Sequence, residues 1–342
     1  MPPREFVVRL FDRRELLKLG AAAAVLPACD TLSLPGYDTF IDIDPISSND
    51  DFYVQSAFGT PELDAEAHEM VVSHKGEEIG RIRLDDLRGL AARQREHTLQ
   101  CIGSRPGILF ISNAIWSGLP LPEVLADLFG WVGPDDDVVE MAFVCADEYF
   151  TSIPATDYTQ DEPLWLVWEM NGEPLPADHG APFRFLVPAR YGTKNPKWAT
   201  SLDFSAEPSL GYWEGRDWSN TAEIQTNAFV FSPPRVGVVG VGRVQVVGTA
   251  FAGVVPIVRV EVQLDEGPWE EAVLEYTPAD SVVTPDGQIW TVWSWEFQPT
   301  EIGDHTVRVK AESADGRTTT GVEGTDRKEG YDGGMEIVVK IR

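Results

Sequence analysis

Hydrophobic and polar positions divide the chain into two regions of different rhythm. Over residues 49–231, short apolar runs mix with helical segments. Residues 70–73 and 138–144 are compact apolar runs and predict strands. Residues 121–129 carry apolar positions at helical spacing, with Pro122 near the start and Gly130 past the end, which predicts a short helix. There is no regular alternation of strand and helix, so this region reads as α+β, not α/β. After Ser232-Pro233-Pro234 the pattern changes. Runs at 243–248, 258–264, 290–297 and 305–311 are separated by Gly, Pro and Asp turns, which predicts a β-sandwich over 232–342. Two domains also suit the 342-residue length at about 100–200 residues each.

The N-terminus has a different character. Arg13 and Arg14 precede Leu16-Leu17-Lys18, a short apolar run over 19–26 and then Leu26-Pro27-Ala28-Cys29. The run is shorter than the roughly 20 residues of a membrane-spanning helix, so it reads as a secretory signal. The paired arginines resemble the twin-arginine export signal, and the segment ending at Cys29 resembles a lipoprotein cleavage site. Residues 1–29 are thus expected to be a signal and 30–48, rich in Asp, Ser, Pro and Gly, a tether. The expected location is the periplasm or the outer face of the cytoplasmic membrane, held by a lipid anchor. Twin-arginine export carries folded proteins, which favours a cofactor acquired before export.

Charge sharpens this picture. The chain has 27 Lys and Arg against 55 Asp and Glu, a net charge of −28. Such a surface repels phosphate backbones and argues against a nucleic-acid partner. Three widely separated cysteines exclude a disulfide framework and a C-x-x-C motif. Two stretches run against the acidity. From His179 to Leu202 there is no Asp or Glu, but there are Arg184, Arg190, Lys194 and Lys197. From Arg88 to Pro122, Arg88, Arg93, Arg95 and Arg105 face only Glu96. Crowded cations call for anionic company, either the protein's own carboxylates or a phosphate-bearing ligand.

Cys101 lies inside the stretch from Arg88 to Pro122, at the end of a predicted strand and before Gly103. Its chemistry is open between a small buried hydrophobe, a nucleophile and a soft metal ligand. Arg105 nearby favours the thiolate, and none of the five histidines sits in a motif that would supply a base.

Thr98-Leu99-Gln100-Cys101-Ile102-Gly103-Ser104-Arg105 resembles the cysteine segment of the sulfite oxidase family of molybdenum enzymes. Residues 111–121, the segment 170–184 beginning Met170-Asn171-Gly172, and Lys197-Trp198 continue the resemblance in order. The C-terminal region is similar to that family's immunoglobulin-like dimerisation domain. The resemblance implies a molybdopterin-binding domain over 49–231, an immunoglobulin-like sandwich over 232–342 and a homodimer. It implies a molybdenum–molybdopterin cofactor with Cys101 as the metal's thiolate ligand. Phe52, Tyr53, Asp147, His179, Arg184, Asn195 and Lys197 match cofactor-contacting positions, and the cofactor's phosphate would account for both basic stretches. Tyr149 and Arg105 match active-site positions, with the Tyr149 hydroxyl aimed at substrate or a ligand of the metal.

The chain departs from the family where that family clusters cations around an oxyanion. Gln55 and Ala57 stand where an Arg and a His are usual, Pro106 where a second Arg is usual, and Ser104 replaces a common Asn. The implied activity is oxygen-atom transfer to or from a small sulfur or nitrogen substrate. Sulfite oxidation is one direction and reduction of methionine sulfoxide or another S- or N-oxide is the alternative. With no haem motif, electrons would pass through a separate partner such as a cytochrome c. A reading from another class is a surface-anchored binding or adhesion lipoprotein. It accounts for the signal and domain order but not for Cys101 with two basic stretches.

Overall fold

The structure is a computed structural model that describes residues 43–342, apart from 235, 286 and 322–327. The expected signal, and the tether up to residue 42, lie outside the described residues. The first domain is built from two sheets. One is five-stranded, in the order Glu77–Arg83, Glu69–His74, Ala199–Ser205, Glu140–Cys145, Phe150–Pro154. Only the Glu69–His74 pairing with Ala199–Ser205 is parallel. The other sheet runs Arg93–Gln100, Ile111–Pro120, Trp165–Met170 and Glu173–Pro174, with Arg184–Leu186 also paired to Trp165–Met170.

The predicted helix forms at Leu121–Phe129. Pro122 suits its first turn, where no backbone donor is lost, and Gly130 closes it at φ 63°. Leu121, Val124 and Leu125 go into a core shared with Met70, Phe143 and Phe185. Helix is scarce, since the other α-helices among the described residues are Leu84–Arg88 and Thr156–Thr159. The domain is sheet-dominated, a stronger bias than the α+β expectation conveys.

The C-terminal region is a sandwich of a four-stranded and a five-stranded sheet. Val246, Val260, Trp293, Val309 and Ile337 are buried together between them. Its first strand, Asn227–Ser232, opens ahead of the composition change at 232. That strand pairs with Val244–Phe251, a partner the local pattern does not reveal.

The strand Arg93–Gln100 links the two domains. It lies at the edge of its sheet, and the sandwich covers its open side. Thr98 donates its N–H to Gln288 O at 2.8 Å, and Gln288 Nε2 returns a bond to Thr98 O at 3.0 Å. The Glu96 N–H donates to Thr284 Oγ1 at 3.0 Å. Gln100 and Asn227 exchange side-chain amide bonds at 3.3 and 3.1 Å. The buried Glu96 carboxylate accepts from Asn113, Tyr276 and Ser281. An edge strand is thereby satisfied without a neighbouring strand. Ile102, Ile111, Tyr191, Phe251 and Trp290 form an apolar seam beside it.

Residues 43–48, the end of the expected tether, are docked on both domains. Pro45 O accepts from Asn113 Nδ2 at 2.9 Å and from Trp290 Nε1 at 3.1 Å. Polar and Pro-rich composition cannot show that a backbone carbonyl will meet two buried donors.

At Gly118 the strands Ile111–Pro120 and Trp165–Met170 approach closely. A Cβ there would strike Leu166 O and lie 2.7 Å from Val167 Cα. Gly118→Ala is expected to destabilise the chain by about 1–3 kcal/mol, the usual cost of overpacking. Denaturant titration checks this, and an unchanged midpoint would show that the sheet accommodates the methyl group.

Candidate active site

Cys101 follows the shared strand directly. Its N–H donates to Phe110 O at 2.9 Å, and its carbonyl accepts from Ser104 N at 3.0 Å in the turn beyond. The side chain is partly exposed and lines a cavity of about 320 Å³. Phe52, Tyr53, Arg105, Asp147, Tyr149, His179, Arg184, Asn195 and Lys197 line the same cavity. Residues from five separate segments thus converge, and Gln55 and Ala57 line it as well.

The cations on one wall lack carboxylate partners. Arg184 is buried and donates only to backbone carbonyls, His179 O at 3.0 Å and Asn195 O at 3.5 Å. Its Nε has no partner. Burial pulls this guanidinium down to about 10. Lys197 donates to Gln55 O at 3.1 Å and Asp178 O at 2.8 Å, again carbonyls. Burial, reinforced by Arg184, brings its ammonium down to about 7. Gly180 permits this crowding, because a Cβ there would sit 2.9 Å from Arg184 Cβ and 3.2 Å from Lys197 Cγ. Arg184 also lies over the Trp116 ring at 5.3 Å and Lys197 over the Trp198 ring at 4.2 Å. A buried and a half-buried cation held by carbonyls and ring faces, with no ion pair, are costly unless an anion joins them.

The other residues are less available than their positions suggest. Asn195 lines the cavity, but its amide is spent on Val187 N, Arg190 O and Tyr191 O, so it braces the loop. Tyr149 donates its hydroxyl to Thr193 O at 2.7 Å, not into open cavity space. His179 Nε2 donates to Asn49 O at 2.8 Å, which leaves Nδ1 an acceptor in the neutral ring. Burial also lowers that imidazole's pKa, which keeps the ring neutral. Phe52 stacks on Tyr53 at 5.5 Å and meets His179 edge-on at 5.4 Å. Asp147 Oδ1 accepts from Tyr149 N at 3.1 Å, and burial raises its carboxyl. Arg105 donates to Gly103 O at 2.9 Å. It does not win the electrostatic contest at Cys101, where burial outweighs Arg105 and the Gly103 N–H and pushes the thiol up.

Among the described residues, no three His, Cys, Asp or Glu side chains converge into a metal cage. A metal here would therefore have one protein thiolate and take its other donors from a cofactor. The site suits such a group, with a soft sulfur in one cavity with two cations that form no ion pair with a carboxylate.

Comparison with known proteins bears on what that group is. Residues 57–213 match the family model described as the oxidoreductase molybdopterin binding domain. Mitochondrial sulfite oxidase of Mus musculus is 27% identical over 312 residues, covering 78% of this chain and 56% of that protein. The Homo sapiens enzyme is 30% identical over 275 residues, covering 67% and 49%. The chain belongs to the sulfite oxidase family. It spans about half the length of the curated relatives it matches. A sulfane dehydrogenase, SoxCD of Paracoccus pantotrophus, shares the fold, with a TM-score of 0.69 at 17% identity over 87% of this chain and 84% of that one. A protein named as a methionine-sulfoxide reductase subunit in Azospira oryzae is 38% identical over 106 residues, 30% of this chain and 38% of that protein.

Within this sulfite oxidase-family chain, most of the basic stretches turn out to be neutralised internally. Arg88 pairs with Glu66 and Asp85, Arg93 with Glu123, and Arg95 with Glu162. Arg190 pairs with Asp157 and Glu223, and Lys194 with Glu214. Only Arg105, Arg184 and Lys197 remain for the cavity, so a ligand phosphate does not account for both stretches as expected. The partners lie far off in sequence, as with Glu162 for Arg95, and a local charge count cannot find them. The sequence reading also missed Thr193, Trp213 and Trp218, which line the cavity. The nearest signal is the aromatic density of Tyr212-Trp213-Glu214-Gly215-Arg216-Asp217-Trp218 in a polar segment.

Lys197 carries a testable consequence. A lysine depressed on folding costs stability, fully below pH about 7, and the cost fades as pH rises toward the ordinary value of 10.5. Lys197→Met is expected to raise the Tm of the cofactor-free chain at pH 6–7 and to weaken retention of an anionic cofactor. The gain should shrink between about pH 7 and 10. Melting curves across pH check this, and a variant less stable than wild type at pH 6 would overturn it.

Proposed function

We propose that this chain is a molybdenum–molybdopterin oxidoreductase that moves an oxygen atom to or from a sulfur substrate. The observation that carries the reading is the union, in one cavity, of the Cys101 thiol with Arg184 and Lys197, whose charges have no carboxylate partners. In this reading Cys101 ligates the metal, and Arg184 and Lys197 receive the cofactor's anionic end. Phe52 and Tyr53 offer ring faces, and His179 Nδ1 offers an acceptor. When bound, the cofactor supplies a two-electron couple suited to oxygen-atom transfer.

Arg105 is the guanidinium nearest Cys101 in sequence among the cavity residues. Gln55, Ala57 and Pro106 supply no charge where relatives of this type place cations. A charge-assisted contact contributes about 1.5–3 kcal/mol, so two fewer would weaken a small dianion by a few hundredfold or more. Trp213, Trp218 and Ile108 offer apolar surface instead. This balance favours a substrate with an organic substituent, as in a sulfoxide, over sulfite. The similarity to the Azospira oryzae reductase subunit supports the same direction. The reading includes a separate electron carrier, export with a lipid anchor at Cys29, and a homodimer through the sandwich, which light scattering checks.

Wild type and Cys101→Ser, made in a host that synthesises the cofactor, provide the main test. Wild type is expected to hold about one molybdenum per chain and the variant much less. Turnover would be followed against sulfite and a panel of S- and N-oxides with artificial electron carriers. Wild type is expected to turn over an S-oxide faster than sulfite. A molybdenum-free wild type from a competent host would sink the enzyme reading, and unchanged activity in Cys101→Ser would refute the ligand assignment.

A further inference from the structure

The ion pair between Lys194 and Glu214 is the most deeply buried in the described chain, with each side chain only 1% exposed. Neither residue lines the cavity, yet the residues beside them, Thr193 and Trp213, do. Lys194 ends the turn Gly192–Lys194, and Glu214 opens the turn Glu214–Arg216. A third segment joins them. Lys194 Nζ donates to Ser152 O at 2.8 Å, and Glu214 Oε1 accepts from Thr151 Oγ1 at 3.1 Å. Both acceptor and donor belong to the strand Phe150–Pro154, which follows Tyr149.

The three segments therefore meet twice, once at the buried pair and once at the cavity. The second meeting includes the bond from the Tyr149 hydroxyl to Thr193 O at 2.7 Å. Trp213 faces the same cavity from the segment that carries Glu214. Gly211 is packed against the pair, since a Cβ there would strike the Glu214 carboxylate and lie 2.8 Å from Thr151 Cα. Glu214 Oε2 has no partner, so the pair is not arranged to satisfy every polar atom. For stability alone, apolar side chains of similar volume serve as well or better. What such side chains lack is direction, because they cannot hold two turns to particular atoms of a strand.

We infer that Lys194 and Glu214 are positioning residues that set the substrate end of the cavity, fixing the Tyr149 hydroxyl through Thr193 and the Trp213 ring through its turn. The kinetic part of this inference rests on the oxygen-transfer reading, but the structural part does not. Burial lowers the Lys194 ammonium and Glu214 opposes that shift. Loss of Glu214 thus favours a neutral amine and frees the turn.

The test uses Glu214→Gln, Lys194→Met and the double replacement of Lys194→Met with Glu214→Met. The double variant removes the charges together, so that it folds even where a single variant leaves an unpaired charge. Two measurements are made on each. The first is KM and kcat of the molybdenum-loaded chain, per bound molybdenum, with the S-oxide that wild type turns over. The second is fluorine NMR of the cofactor-free chain labelled with fluorotryptophan, with the Trp213 resonance assigned by Trp213→Phe. The double variant is expected to melt within a few degrees of wild type and retain molybdenum. Its KM should rise about tenfold with a smaller change in kcat, and its Trp213 resonance should split or broaden. A double variant with wild-type KM and a single unshifted Trp213 resonance would overturn the inference and leave the pair a packing element. If loaded wild type turns over nothing, the oxygen-transfer reading fails, and the Trp213 resonance alone decides this one.

Discussion

The cavity depends on one strand that belongs to both domains. Arg93–Gln100 is an edge strand of the first domain, and its open side is closed by Thr284, Gln288 and Asn227. Cys101 is the next residue, so the place of its thiol is set by bonds from two domains at once. Unmet edge donors in a buried position are costly, which ties the position of the sandwich to the position of the cysteine. The sandwich is therefore part of the site's support, although the residues that face the cavity come from the first domain.

A second constraint is the sorting of positive charge. The chain is acidic, and five of the eight Lys and Arg in the two basic stretches find a carboxylate. Arg184 and Lys197 are held by carbonyls instead, with Gly180 letting them crowd. Such a wall is unfavourable by itself and favourable when an anion arrives. The cofactor-free chain thus carries a local electrostatic cost that binding relieves. The same logic orders the rest of the lining. Asn195 and Tyr149 use their polar atoms to hold the loop that brings the cations in.

Much of the fold is legible in the sequence. The helix at Leu121–Phe129 has its Pro and Gly at the ends, where backbone donors and φ demand them. The sandwich strands follow alternation between turn residues, because one face of each meets a core. What escaped are features made by distance. The docking of Pro45, the pairing of Arg95 with Glu162 and the approach of Trp213 all join segments far apart in the chain. Composition around 43–48 indicates polarity and says nothing of which donors a carbonyl will meet.

The site divides along the same line. Sequence by itself determined which side chains were worth watching, because motif order around Cys101, His179–Arg184 and Lys197 is a property of the chain. It also determined the loss of cations at Gln55, Ala57 and Pro106. Only tertiary structure decided which charges remain uncompensated, which way the Tyr149 hydroxyl points and what closes the strand before Cys101. The physical reason is that pairing, desolvation and hydrogen bonding depend on three-dimensional neighbours. A residue's chemistry is written in the chain, but its availability is settled by what packs against it.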